Sequence, residues 1–495
     1  MKPFYTFILF TVLVFYQSLC NAQTATEAYR FSISEPLGTA RNLGAGNSMF
    51  AIGPDFSAIG SNPAGIGAYW KSEFTVTAGG LFNSFSAFFP EDSRSVTAGN
   101  YNYGTFPNCG FVLVNRPQQG NVMTSNWAVG LNRMADYRRD FSFSGSTLGS
   151  MTDSWRDNAL GKEPDALNGF EEGLAWNSGA IYDFEEDRTY ESDYLLSPEY
   201  KLYKVEHASL EGGKSEFFLG YGANIDNTIL FGASFNMPII NSTEFRDYEE
   251  VDGQDNGVPY FNNMYYTSFI NSTGYGVNGK FGLTVKPSKF FNLSFAAHTP
   301  TKYFMTDDYN TTLSYDYTDM EHDGPIYSES PYGSFHYAIV SPWSLMGGLG
   351  IIVENQGFIG VSLKWTDYGS MHYDYSVNGN GYYYEQEERE VNDDIRRNYN
   401  SALDINAGGE IVMNAFRLRG GVSFNQSPYS GDESFDPSYH AGLGWRSDAF
   451  YIDFGYRWTK AEEGYLPYET TSGPQPLAVN DVNRHTIAAT LGMKF

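Results

Sequence analysis

The sequence predicts an all-β protein, a transmembrane antiparallel β-barrel of about 14 strands with an N-terminal hatch (plug) inside its lumen. Three observations predict this fold. The chain ends in a strand whose apolar residues alternate up to a terminal aromatic residue. Many other segments repeat that two-residue period, and a Gly-rich stretch precedes the first of them.

The C-terminal residues 484–495 have the two-residue period of a β-strand. The residues on one face of this strand are His485, Ile487, Ala489, Leu491, Met493 and Phe495. Barrels of the Gram-negative outer membrane end in strands of this kind. We therefore expect the barrel-assembly machinery to bind the strand that ends at Phe495, and outer-membrane lipids to surround the barrel.

The N-terminal residues 1–22 have the pattern of a signal peptide. Met1 and Lys2 precede an apolar run over residues 4–15, and Ala22 is a plausible residue to cleave after. The run is too short to favour a membrane-spanning helix, and no later segment approaches the roughly 20 apolar residues that such a helix needs. An exported chain bound for a membrane would therefore cross it as a barrel.

The composition fits an outer-membrane barrel. Aromatic residues make up 17% of the chain, with 38 Tyr and 38 Phe, which suits girdles at the membrane interfaces. The formal net charge of −27 excludes nucleic acid as a bulk partner. Without Cys20 of the signal peptide, Cys109 stands alone, so a disulfide framework within the chain is not expected.

Segments with the two-residue period are separated by turn residues along the whole chain. Counted with the last strand they number about 14, an even number as single-chain bacterial barrels have. Their ranges are roughly 73–82, 106–115, 125–134, 216–226, 228–238, 276–286, 290–298, 342–353, 357–367, 402–412, 415–425, 438–447 and 449–459. Together with the last strand they predict a barrel over residues 72–495.

Short and long connections alternate between these segments, as in barrels with tight periplasmic turns and longer outer loops. Tight turns are predicted at residues 226–227, 287–289, 354–356, 413–414 and 447–448, with a longer turn near residues 116–117. Outer loops are predicted at residues 83–105, 135–214, 239–275, 299–341, 368–401, 426–437 and 460–483. This alternation of short and long connections places both termini in the periplasm.

One segment within the longest predicted loop has helical spacing. In residues 162–176, Leu167, Phe170 and Leu174 recur at that spacing behind Asp165, a candidate cap. Its apolar face could shape a ligand entrance. The alternative, that it packs on the barrel rim, has equal support.

Residues 38–70 are Gly-rich and nearly uncharged, and a simple pore would not need them. Gly44 and Gly46 suggest a phosphate-binding loop, but no strand precedes them and no third glycine has the required spacing. Small residues allow close approach of the backbone. We therefore predict that residues 23–71 fold as a compact hatch (plug) within the lumen.

In this hatch the sequence resembles the FadL family of outer-membrane transporters of long-chain fatty acids and other hydrophobic compounds. The residues Asn62, Pro63, Ala64 and Gly65 match the NPA element of the family's hatch, and residues 38–53 look like its lead-in. The agreement continues, in order, at residues 130–133, 278–282, 298–300, 342–344 and 364–368. It covers nearly the whole mature chain and is weakest in the loops.

The resemblance implies passive transport of a hydrophobic small-molecule ligand, such as a long-chain fatty acid. It implies entry at a groove among the outer loops, then an apolar pocket closed below by the hatch. Movement of the hatch, through residues 62–65, would open a path, and ligand would leave by lateral diffusion through the wall near the third strand. Gly130, the glycine within the predicted strand 125–134, is the candidate weak point.

Two arginines in a predicted lumenal position allow two interpretations. Arg417 and Arg419 could hold the carboxylate of a ligand, as arginines do well. However, a turn at residues 413–414 would place Glu410 directly opposite Arg417, and ion pairs of this kind are ordinary in barrels. The second interpretation is the stronger one.

The sequence shows no catalytic constellation, and its seven histidines are scattered. The acidic clusters lack the spacing of a calcium loop, so neither a metal site nor a cofactor is expected. We therefore expect a monomer that is not an enzyme, in the outer membrane of a Gram-negative bacterium. The alternative function is a surface-exposed structural or adhesive barrel whose lumen is permanently plugged.

Overall fold

The computed structural model describes residues 23–253, 257–318, 322–378 and 384–495. The predicted signal peptide, residues 1–22, lies outside the described residues.

The wall is one closed antiparallel sheet, and β1 and β19 pair to close it. The strands are β1 Glu73–Phe89, β2 Asp92–Asn115, β3 Val122–Asp136, β4 Arg139–Thr147, β5 Leu202–Ile225, β6 Ile229–Val251, β7 Phe261–Ser288, β8 Phe291–His298, β9 Lys302–Thr318, β10 Asp323–Glu329, β11 Gly333–Val340, β12 Ser344–Val353, β13 Gly357–Asp367, β14 His372–Asp374, β15 Ser401–Met413, β16 Phe416–Gln426, β17 Phe435–Arg446, β18 Phe450–Tyr465 and β19 Ala478–Lys494.

Several strands are successive segments of one position in the wall. These are β3 with β4, β8 with β9, β10 and β11 with β12, and β13 with β14, because each set pairs with the same neighbours. The wall therefore has 14 positions, which confirms the predicted fold.

Side chains alternate across this wall as predicted. In β18, Phe454 and Trp458 are exposed on the outer face of the wall. Asp453, which precedes Phe454, is buried on the inner face. Exposed aromatic residues mark both rims of the apolar belt: Trp343, Trp365 and Trp458 at one rim, and Trp70, Phe416 and Phe450 at the other. Apolar belts with aromatic girdles are typical of barrels in a membrane.

The strands run well beyond this belt, so the prediction of long loops at residues 83–105, 239–275 and 299–341 was wrong. A short turn joins β1 and β2. β6 continues to Val251, and β7 begins at Phe261. The outward residues of the extended β6 include the polar Thr243, Asp247 and Glu249 beside the exposed Phe245. Because polar residues also occupy its inward face, this part of the wall carries only a weak alternating hydropathy signal.

The predicted tight turns lie between strands, and two of them are shifted along the chain. The turn predicted at residues 287–289 comprises Lys289 and Phe290, because Ser288 pairs with Phe291. Asp226, Asn227 and Asn355 have the positive φ values typical of hairpin turns. The turn predicted at residues 413–414 instead comprises Asn414 and Ala415, because Met413 pairs with Phe416.

The part of the chain that the structure describes contains five α-helices, within or above the barrel: α1 Ala25–Ser32, α2 Ala40–Gly44, α3 Met151–Ala159, α4 Glu172–Asn177 and α5 Glu385–Asn398. None of the helices in the described residues combines the length and apolarity needed to cross a lipid bilayer. Two clusters rich in aromatic residues fill the outer half of the barrel. One packs around α1, with Phe31 and Tyr373, and the other packs under α3 and α4, with Trp155 and Tyr315.

The helix predicted over residues 162–176 was wrong in its extent. A 3-10 turn covers Pro164–Ala166, with Glu163 rather than Asp165 at its N-cap position, and α4 starts only at Glu172. Asn168 breaks the continuity, because its side chain accepts a hydrogen bond from the Phe170 N–H instead of allowing a helical turn.

Candidate functional site: the plug and the seam in the wall

Residues 23–72, here called the plug, precede β1 and lie inside the barrel. They contain α1, α2 and three 3-10 turns, Ser48–Ala51, Ala58–Gly60 and Pro63–Ala68. Ala40 and Leu43 pack on Ala488 of β19, and Ala64 and Ala68 pack on Leu230 of β6. The plug therefore reaches wall strands that lie far apart in the sheet.

Glycines on the inner face of the wall make room for the backbone of the plug. A Cβ atom at Gly408 would lie 2.1 Å from the Ala45 carbonyl oxygen, and one at Gly232 would lie 2.1 Å from that of Pro63. The same close approach occurs at Gly350, Gly360, Gly421, Gly442 and Gly455. Since any other residue would collide with the plug backbone, the wall is shaped for this plug.

The predicted hatch residues 62–65 connect two parts of the plug to the wall. The Asn62 side-chain oxygen accepts a hydrogen bond from the Ala64 N–H at 3.1 Å. Its amide nitrogen donates to the Phe50 carbonyl oxygen at 3.1 Å and to the Thr284 hydroxyl of β7 at 3.3 Å. Pro63 starts the next 3-10 turn, with Gly65 inside it. A role in gating remains a prediction.

A buried charge network fixes α2 to the wall. Glu410 of β15 contacts Arg41 of α2 at 3.2 Å and Arg419 of β16 at 2.6 Å. Arg419 also contacts Asp453 at 2.7 Å, and Asp453 contacts Arg446 at 3.0 Å. Sequence reasoning missed this network, because Arg41 and its partner Glu410 lie 369 residues apart along the chain.

The predicted register, with Arg417 directly opposite Glu410, was wrong, although Arg417 Nε still lies 3.9 Å from the Glu410 carboxylate. Glu410 lies opposite Arg419, and Val412 lies opposite Arg417, because the turn is one residue later than predicted. Arg417 donates hydrogen bonds to the Asn414 and Phe416 carbonyl oxygens at 2.6 and 2.8 Å. Both arginines are thus engaged by the wall itself, which favours their structural interpretation over a ligand carboxylate site.

The helix α1 is held in the outer half of the lumen by polar contacts. Arg30 contacts Glu244 of β6 at 2.8 Å and Glu27 at 3.0 Å. Gln23 donates a hydrogen bond to Asp307 of β9 at 2.7 Å, and the Lys214 ammonium donates to the Phe31 carbonyl oxygen at 2.9 Å. Burial raises the pKa of Glu27 well above its ordinary value, although Arg30 opposes the shift.

A small polar cavity lies between α1 and the inner part of the plug. Its volume is about 50 Å³, enough for a few water molecules but not for an acyl chain. Lys214, Lys280, His298 and Lys364 are among its lining residues. His298 contacts the Ser61 carbonyl oxygen at 2.8 Å, so the cavity borders the plug directly. Its polar lining differs from the apolar pocket that the resemblance implied.

The wall contains a seam between its second and third positions. β2 and β3 pair from Asn115 with Ser125 up to Asn108 with Asn132. Above that point, β2 pairs only with β1, from Thr105 up to Asp92, and β4 pairs with β5. The described residues show no ladder joining the two sides. β4 instead folds inward, where Phe143 packs on Phe89 at 5.0 Å. We call this unpaired boundary the seam.

The predicted weak point, Gly130, lies just below the seam. It is opposite Gly110 of β2 and Phe218 of β5, so it is paired on both sides. A Cβ atom at Gly130 would lie 2.4 Å from the ring of Phe56, which fills the space over both glycines. The plug therefore seals the inner side of the wall at the base of the seam.

The predicted entrance residues do not form one surface. Leu174 is buried in the cluster under α3 and α4, and Leu167 packs against that cluster. Phe170 contacts the ring of Tyr309 on β9, 4.8 Å between centroids. Their role as a ligand entrance remains a prediction.

The chain was compared with known proteins. No family model matches it, and no curated protein matches it. It is similar to a Pseudomonas aeruginosa FadL homologue, with a TM-score of 0.55 and 11% identity over 94% of this chain and 100% of the other. A deltaS2S3 mutant of the TodX monoaromatic hydrocarbon channel gives a TM-score of 0.50 and 11% identity over 93% and 100%. The P. putida toluene transporter TodX gives 0.49 and 12% over 93% and 99%. The first two of these structures show that the chain has a FadL-like fold.

Proposed function

We propose that this protein resides in the bacterial outer membrane and allows hydrophobic small molecules to cross it passively. The observation that carries the proposal is the position of the plug, which blocks the lumen and seals the wall at the base of a seam. The exposed apolar belt supports the membrane location, and the FadL-like fold is consistent with it. The similar structures include a FadL homologue and a monoaromatic hydrocarbon channel.

The seam offers an apolar ligand a route that avoids a continuous aqueous channel. In such a channel each exposed CH₂ group would cost about 0.8 kcal/mol. Ligand would enter among the outer helices, and a shift of the plug would open the inner end of the path beside Phe56. Ligand would then leave sideways through the wall into lipid, without crossing the whole lumen.

We further propose long-chain fatty acids as substrates. The lysines beside the polar cavity support this choice, because an ammonium group attracts a carboxylate. Lys280 already pairs with Glu216, and Lys364 contacts Asp404 at 3.3 Å. Lys214 contacts the Phe31 carbonyl oxygen and the Tyr303 hydroxyl, so it is the lysine best placed to receive a carboxylate when α1 moves.

Uptake measurements test this proposal. Cells of a Gram-negative host that lacks its own fatty-acid transporter would be compared with and without the protein, using a labelled long-chain fatty acid, toluene and a labelled sugar. We expect faster uptake of one or both apolar compounds and no change for the sugar. Equal uptake of every compound with and without folded protein would refute the proposal.

A second candidate function is a structural or adhesive surface barrel with a permanently plugged lumen. The dense packing of the plug against wall glycines favours it. Under this alternative the uptake experiment shows no gain, and loosening the plug changes stability without changing uptake. The two candidates therefore give opposite results in the same cells.

A further inference from the structure

We propose that Arg138 and Tyr103 form a latch across the seam, and that this latch controls lateral exit of the ligand. The inference rests on the proposed transport function and assigns its regulation to named side chains. Arg138 lies between β3 and β4. Tyr103 lies on the part of β2 that pairs with β1 but not with β3. The two residues therefore stand on opposite sides of the seam.

Three contacts join Arg138 to Tyr103 and its neighbour Gly104 across the seam. The Arg138 guanidinium lies 3.8 Å from the centre of the Tyr103 ring, close enough for a cation–π contact. The same guanidinium donates a hydrogen bond to the Gly104 carbonyl oxygen at 3.0 Å. In return, the Tyr103 hydroxyl donates to the Arg138 carbonyl oxygen at 3.0 Å. Side chains thus replace the backbone ladder that ends at Asn108.

Asp136 holds Arg138 in this position. Its carboxylate accepts hydrogen bonds from Arg138 Nε at 2.9 Å and Nη2 at 2.6 Å. The carboxylate also lies 3.4 Å from Arg133, which donates to the Gly212 carbonyl oxygen of β5 at 2.6 Å. The latch is therefore built onto the β5 side of the seam and reaches over to β2.

Opening the seam would leave every backbone ladder of the barrel intact. β4 keeps its pairing with β5 from Arg139 to Thr147, and β2 keeps its pairing with β1. Only side-chain contacts would break, and these are weaker than a ladder of backbone hydrogen bonds. This difference is why the seam, rather than a regular strand pair, is the part of the wall able to open.

The lower end of the seam has further unpaired polar groups. Asn132 is 2% exposed, and neither its side-chain oxygen nor its amide nitrogen has a hydrogen-bond partner among the described residues. Opposite it, the Asn108 amide nitrogen is also unsatisfied within that part of the chain. A buried polar group without a hydrogen-bond partner lowers the stability of the fold. Asn108 and Asn132 thus make no side-chain hydrogen bond to each other across the base of the seam, which the plug covers, and the side-chain contacts that join the two sides lie above it, at the latch.

The first test removes the latch arginine. The Arg138→Ala variant should raise uptake of the transported compound by about threefold to tenfold, as expected from losing an exposed cation–π contact and a hydrogen bond. Arg139→Ala is the matched control, because Arg139 is 48% exposed and contacts Glu463 at 3.5 Å outside the latch. It should transport as the wild type does.

The second test closes the seam covalently. The Thr97 and Ser144 hydroxyls lie 3.2 Å apart across it, so Thr97→Cys with Ser144→Cys can form a disulfide in a Cys109→Ala background. Oxidised protein should lose most of its uptake, and reduction should restore it. Thr267→Cys with Thr312→Cys is the control, because these residues are 2.7 Å apart in a regular β7–β9 ladder. This cross-link should not change uptake.

The outcomes separate the latch from the transport function itself. If the wild type adds no uptake, the proposed function fails and the latch with it. If the wild type transports and the oxidised Thr97–Ser144 cross-link leaves uptake unchanged, ligand leaves by another route and the latch proposal is overturned. Because reduction restores the starting protein, a folding defect cannot imitate the expected result.

Discussion

Arg41 of the plug and Glu410 of the wall lie 3.2 Å apart, although 369 residues separate them along the chain. Both side chains are largely buried, with exposed fractions of 14% and 5%. Glu410 also contacts Arg419 at 2.6 Å, so one carboxylate serves the plug and the wall together. Loss of Arg41 would therefore remove this link between α2 and the wall and leave Glu410 paired within the barrel.

Replacing Arg41 by alanine should loosen the plug and spare the barrel. Loss of a charge-assisted hydrogen bond of this kind costs about 1.5–3 kcal/mol. Hydrogen exchange should accelerate in residues 38–70, and heat-modifiable gel mobility should be retained. Arg396→Ala on α5 is the control, because Arg396 is exposed and pairs with Asp393, away from Glu410. Equal exchange in both variants would show that the ion pair does not anchor the plug.

Adding one methyl group at Gly408 should displace the plug. A Cβ atom there would lie 2.1 Å from the Ala45 carbonyl oxygen, and overpacking of this kind costs about 1–3 kcal/mol. We expect Gly408→Ala to make the plug sensitive to added protease. Gly347→Ala on β12 is the control, because its Cβ atom would meet nothing within 4 Å. Similar protease resistance in the two variants would contradict the packing argument.

Asn62 should stabilise the plug both through its amide hydrogen-bond donors and through its side-chain acceptor oxygen. Alanine removes both and should cost about 0.5–2 kcal/mol, as for other capping residues. Aspartate keeps the oxygen that accepts from Ala64 and loses the donors to Phe50 and Thr284. If gating uses the wall contact, Asn62→Asp and Asn62→Ala should change uptake alike. Wild-type uptake by Asn62→Asp would assign Asn62 to local capping alone.

The parts of the fold that sequence could predict are those that meet lipid. Alternating apolar residues located β18 and the last strand, and Asn and Asp at hairpin turns fixed the strand order. The extensions of β6 and β7 escaped prediction because both faces of those segments carry polar residues. The register error at Arg417 has a local cause, a left-handed Asn414 that moves the turn by one residue.

The candidate site was only partly predictable for a different reason. The plug backbone could be predicted from its small residues, but its partners are inward glycines such as Gly232, spread over many strands. The seam depends on where pairing stops after Asn132, which is a property of the assembled wall. Contacts between residues that are hundreds of positions apart leave no local pattern, so Arg41 with Glu410 had no sequence signal.

The position of α1 should depend on pH through Glu27. Desolvation is the main cause that raises the pKa of this carboxyl above its ordinary value of 4.5, with Asp307 and Glu244 acting in the same direction. A raised pKa means that the docked helix binds the proton more tightly than the released helix does. The resulting stabilisation is therefore full below about pH 4.5 and is lost as the pH rises through the higher, docked value.

We thus expect α1 to loosen as the pH increases. Hydrogen exchange in residues 23–33, corrected for the intrinsic pH dependence of exchange, should show falling protection between pH 4 and pH 9. Glu27→Gln should flatten this dependence, because the amide stays neutral at every pH and retains an oxygen for the Thr24 N–H. Glu35→Gln, a change in the plug beyond the end of α1, is the control and should keep the wild-type profile. A profile that Glu27→Gln leaves unchanged would remove Glu27 as the titrating group.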